Sequence, residues 1–158
     1  MKTWALLYAL IWIAFLEFLL VMTPAADRGP FVLLHIAVGV IIVALSFVNF
    51  QRLRATQVPG RVKRIARSTV QLSVAAGVLG VLLAFKVGST WVLPIVGITV
   101  YGLLDFLHVV NAFAIITQAA AVAIAHDMWE DREFEKETEP GFIPELPKPQ
   151  PKIVIQNQ

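Results

Sequence analysis

Apolar residues along this chain fall into long uninterrupted runs, four times over, and not into the short stripes of a soluble helix. The clearest run is Phe31–Phe50, FVLLHIAVGVIIVALSFVNF. At 1.5 Å rise per residue it gives about 30 Å of helix, the hydrocarbon thickness of a bilayer. The first run, Trp4–Met22, stops at Thr23-Pro24 and is too long for the apolar core of an ordinary signal peptide, so it is kept as helix 1. Pro30 is placed to open helix 2 in its first turn. Helix 3 is expected at Ser68–Val87 and helix 4 at Leu103–Ala125.

The polar positions order these runs. Gln51–Arg67 carries Arg52, Arg54, Arg61, Lys63, Arg64 and Arg67, six of the thirteen basic residues. The positive-inside rule puts this loop in the cytoplasm, with both termini on the same side and the loops after helices 1 and 3 outside. Gly88–Gly102 is apolar but broken by Pro94, and it is read as an interfacial or partly re-entrant segment anchored by Trp91 and Tyr101. From His126 onward the chain changes character: HDMWEDREFEKETE reads as a charged helix continuation and the rest is proline-rich and extended, so that residues 127–158 form a cytoplasmic tail that either docks a partner or stays disordered.

Composition agrees. Of 158 residues, 58% are hydrophobic, more than the 45–50% or so usual in a soluble domain. A formal charge of +2 gives no argument for nucleic acid, and the lack of cysteine excludes disulfides, thiolate-bound zinc, iron–sulfur clusters and c-type haem. The expectation is an all-α membrane protein of the cell membrane, a four-helix bundle spanning residues 1–126.

Three ionisable residues then stand out. Glu17, His35 and His108 each lie about five residues from the outer end of a span, roughly 7–8 Å deep. Ionisable groups at such positions face the bundle interior and mark function by default. His35, Gly39, Ile42, Ser46 and Asn49 share one face of helix 2; Asp105, His108, Asn111 and Ile115 share one face of helix 4. Helices 2 and 4 run in the same direction, so two imidazoles meet at equal depth. A flat apolar macrocycle held by one imidazole from each side, a b-type haem, fits that arrangement. Gly39 and the small-residue stripe with Gly77 and Gly80 on helix 3 leave room for it. Asp105, Ser46 or Asn111 are candidate acceptors for the imidazoles. Glu17 has three readings: a buried ion-pair partner, a proton or quinol contact, or a metal ligand with His35, His108 and Asp105. Lys86 and Arg28 are candidate rim cations. His126 reads as an interfacial histidine near a helix C-terminus.

The four helices, with histidines on helices 2 and 4 near the outer surface, resemble one half of the haem A synthase family and the small four-helix membrane b-type cytochromes. The resemblance covers residues 4–126 and is topological. It implies that His35 and His108 are paired axial haem ligands. The flanks Leu33-Leu34-His35-Ile36 lack the glutamate and arginine of the synthase pattern, so haem binding is implied more directly than haem A synthesis. The expected function is an electron-carrying haem subunit of a respiratory or other oxidoreductase complex, working with other redox subunits or quinol in a homo- or hetero-oligomer. Three rivals stand beside it: a haem-modifying enzyme, a non-haem metal site, and a cofactor-free accessory subunit. Glu17 and Asp105 are the candidates for any catalytic role.

Overall fold

The computed structural model describes residues 2–23 and 29–138, with side chains as far as 133. Arg28 and the proline-rich end of the tail lie outside the described residues. Four helices make up the fold: α1 (Thr3–Val21), α2 (Gly29–Arg54), α3 (Gly60–Ala84) and α4 (Val100–Thr138). All four are long and apolar enough to cross a membrane. Their outer surfaces are apolar, as at Trp12, Leu33, Val40 and Phe106, each more than half exposed. Without lipid that surface would have no reason to be apolar.

The helices close into a ring in chain order. α1 packs on α2 and α4, and α3 packs on α2 and α4, so α1/α3 and α2/α4 are the diagonals. Two apolar clusters fill the interior. One, at the basic end, joins Leu7, Leu53, Val58, Val62, Ala66, Val122 and Ala123. The other, at mid-height, joins Leu10, Ala14, Ile42, Ile115 and Ala119.

Each seam also carries a polar tie. The Asn49 amide on α2 donates to the Leu6 carbonyl on α1 at 3.1 Å. Ser46 on α2 and Ser73 on α3 share a hydrogen bond of 2.9 Å. Asn111 on α4 donates to the Leu72 carbonyl on α3 at 2.8 Å, and Thr69 to Gln118 at 3.3 Å. Tyr8 on α1 donates to Asp127 on α4 at 2.6 Å. In hydrocarbon such bonds each contribute about 0.6 kcal/mol, and their geometry fixes the rotation of each helix.

The helix ends differ from the sequence expectation. The basic stretch is not a long loop: α2 continues to Arg54, α3 already begins at Gly60, and only 55–59 connect them. Arginine and lysine are good helix formers, so charge alone does not end a helix. The turn is held by Lys63, whose ammonium donates to the Thr56 carbonyl at 2.7 Å and the Arg54 carbonyl at 3.3 Å, while Val58 plugs the bundle end. α4, by contrast, runs past Ala125 to Thr138 without a break, in line with the charged helical continuation expected from His126 onward.

At the opposite end α3 closes with Lys86 in the left-handed region, φ 51°. Val87 N–H donates to the Leu82 carbonyl and Lys86 N–H to that of Leu83, a Schellman closure. The chain then reverses through a tight hairpin, with a bridge between Val92 and Thr99 and a bond from Leu93 N–H to the Ile98 carbonyl at 2.8 Å. Such non-helical backbone, carrying an exposed Trp91 and a fully outlying Ile95, suits an interfacial position better than the hydrocarbon centre.

Candidate functional site

The faces of α2 and α4 point where the sequence pattern placed them. Ile42, Ser46 and Asn49 are buried on α2; Asn111, Ile115 and Ala119 are buried on α4. The same faces carry His35 and His108 toward each other along the α2/α4 diagonal, and their ring centroids lie 6.0 Å apart with planes at 72°. The helices that bear them make no close backbone contact, so the imidazoles themselves span the bundle axis at this level.

Glu17 joins them from α1. It is buried, and its Oε1 pairs with Nδ1 of His35. A carboxylate at Nδ1 holds the proton there and leaves Nε2 of His35 as the lone-pair nitrogen. His108 Nδ1 is buried without a hydrogen-bond partner among the described residues. On the α3 side, a Cβ on Gly80 would lie 3.6 Å from His108 Cε1, so the glycine clears the flank of that ring. Three helices therefore supply Glu17, His35 and His108, and α3 supplies a smooth wall.

The remaining expected residues sit elsewhere. Asp105 is exposed, one turn from His108. Gly77 faces outward, in an apolar surface groove with Val43, Val74, Val78, Val81 and Leu82. Gly39 has open space beside its Cα, with no atom within 4 Å of a built Cβ. Ser46 is spent on Ser73 and on the Ile42 carbonyl, and Asn111 on Leu72, so neither orients an imidazole. Lys86 caps the end of α3 on the same side of the bundle.

A second polar cluster lies at the basic end. His126 is only 2% exposed and sits inside the continuous α4, not at its C-terminus. Its Nδ1 lies 3.8 Å from Asp127 Oδ1 and 3.6 Å from Glu130 Oε2. Among the described residues these three form a group whose possible ligand atoms all fall within 4.8 Å of one another; Glu17, His35, His108 and Asp105 do not converge in that way. The sequence signal for this cluster is the i, i+1, i+4 spacing of His126, Asp127 and Glu130 within the charged helical continuation, which puts the three side chains close together.

No family model, curated protein or solved structure matches this chain. The fold and sites therefore define a class, a four-helix bundle of membrane-spanning helices with an internal imidazole pair, without assigning it to a family.

Proposed function

We propose that the protein is a b-type haem-binding membrane subunit that carries electrons, with His35 and His108 as axial ligands. The observation that carries this reading is the 6.0 Å spacing of the two rings across the bundle diagonal. Metal–imidazole bonds of about 2.0–2.1 Å on either side of one ion require a centroid spacing close to this. Two further observations support it. Glu17 sets the tautomer of His35 as metal-ligating histidines require, and Gly80 leaves the His108 ring unobstructed. When bound, the haem would supply one-electron redox chemistry, its potential set by axial ligation, hydrogen bonding and burial.

The chain's own groups have separable roles in this reading. His35 and His108 are the residues that would hold the haem iron. Glu17 keeps a proton on Nδ1 of His35 and fixes the orientation of its ring. The apolar cluster of Leu10, Ala14, Ile42, Ile115 and Ala119 closes the bundle below and keeps water out. With the basic end in the cytoplasm, the site lies near the outer face of a cell membrane, within reach of quinol or a redox subunit docked there.

The test is a reduced-minus-oxidised visible spectrum of the full chain, produced in haem-replete cells and purified in mild detergent. Low-spin b-type bands with about one iron per chain are expected, and both His35→Ala and His108→Ala abolish them. Full haem retention in both variants, or no haem in a preparation that kept its native partners, overturns the reading.

A further inference from the structure

The geometry points to a divalent-cation site at the basic end of the bundle, formed by His126, Asp127 and Glu130 and distinct from the imidazole pair. A group of acidic side chains on one helix is common without an ion. What sets this one apart is His126, whose side chain is 3% exposed and whose Nδ1 has no hydrogen-bond partner among the described residues. A buried polar nitrogen left so is costly, and its neighbours at 3.6 and 3.8 Å are too distant for a hydrogen bond. Those distances match something else. Two ligand atoms on a tetrahedral ion with bonds of about 2.0–2.1 Å lie roughly 3.3 Å apart. Nδ1 needs to close on each carboxylate oxygen by only a few tenths of an ångström, and the three possible ligand atoms already lie within 4.8 Å of one another.

The surroundings have the features of a metal centre. Tyr8, reaching over from α1, donates its hydroxyl to Oδ2 of Asp127 at 2.6 Å. That occupies one carboxylate oxygen and leaves Oδ1 turned to His126, the orienting role that outer partners play around metal ligands. The Trp129 ring stands 6.2 Å from the imidazole and packs against the apolar cluster that holds Val122 and Ala123. The carboxylates of Asp127 and Glu130 are 39% and 42% exposed, so an ion enters from the side of the basic turn. Three protein ligands of one nitrogen and two oxygens leave a fourth position for water. Borderline first-row ions, zinc foremost, suit such a set. Binding there ties the cytoplasm-side start of α1 to α4 through Tyr8 and Asp127.

The experiment is Zn²⁺ binding to the full-length, haem-free protein in detergent, measured by equilibrium dialysis with metal analysis. One Zn²⁺ per chain is expected. His126→Ala and Glu130→Gln each weaken it at least tenfold, Tyr8→Phe weakens it about tenfold, and the His35→Ala/His108→Ala double variant binds as the parent does. Glu130 is half-exposed, so Glu130→Gln melts as the parent does without zinc and its loss of binding is not unfolding. Zinc also raises the melting temperature of the parent and leaves that of Glu130→Gln unchanged. Absence of stoichiometric binding overturns the proposal. So does binding insensitive to both His126→Ala and Glu130→Gln, or binding that disappears only in the His35/His108 double variant. Haem retention is read separately in the same variants, so the fate of the haem reading does not decide this one.

Discussion

The Glu17 carboxylate on α1 lies against Nδ1 of His35 on α2, a buried acid fixing one nitrogen of the imidazole that faces His108. With haem bound as proposed, such a carboxylate would push electron density onto the ligand and favour the oxidised iron. Glu17→Gln is therefore expected to raise the midpoint potential while keeping the low-spin spectrum. A redox titration of the two proteins checks this; an unchanged potential would reduce Glu17 to a packing role.

Gly80 and Gly77 lie one turn apart on α3 but differ in what they face. A methyl at Gly80 makes ordinary contact with His108, 3.6 Å away, whereas one at Gly77 meets nothing within 4 Å. Gly80→Ala should be tolerated, and Gly80→Leu should displace the His108 ring and lower haem occupancy. Gly77→Leu, facing outward, should leave both occupancy and spectrum unchanged. Iron per chain in the three variants is the readout.

The seam between α2 and α3 rests on the Ser46–Ser73 pair: one hydroxyl donates to the other, which in turn donates to the carbonyl one turn back in its own helix, Ile42 or Thr69. Because those local acceptors persist, Ser46→Ala is expected to cost about 0.6 kcal/mol and no more than ~1.7. Unfolding in mixed micelles measures it, and the double variant with Ser73→Ala should cost less than the sum of the single changes.

Backbone conformation dominates at the reversal after α3. Gly88 has φ 72°, and a Cβ there would lie 2.6 Å from Val100. Gly88→Ala combines a left-handed strain with a clash and should cost well over ~1 kcal/mol. Two residues earlier, Lys86 holds φ 51° with a side chain. There Lys86→Gly should be more stable than Lys86→Ala by about 1 kcal/mol, since both lose the charge and only glycine relieves the strain. Thermal melts of the three variants test both statements.

The periodicity of α2 and α4 made the inner faces readable from sequence, because polar residues in an apolar span have few places to point. Matched depths brought Glu17, His35 and His108 together for the same reason. Three things were less legible. Helix ends in basic or acidic stretches carry little signal, since lysine, arginine and glutamate all favour helix. That is why Gln51–Arg67 read as loop and His126 as terminal. The side of α3 that meets the imidazoles depends on a rotation that small residues leave open, so Gly80 and Gly77 looked equivalent. Asp105 shares the stripe of His108 in projection, but it lies near the helix start, where the bundle opens and its side chain is exposed.

α4 has 39 residues and no proline or glycine after Gly102. At 1.5 Å per residue it is about 58 Å long, nearly twice the thickness of a bilayer core. It bears His108 near one end and His126, Asp127 and Glu130 toward the other. With no kink-forming residue between them, it behaves as a rod. A tilt of about 5° at the imidazole level sweeps the far tip, some 45 Å away, sideways by roughly 4 Å. The helix is thus a lever arm, and any shift in how the two imidazoles are held is carried mechanically across the membrane.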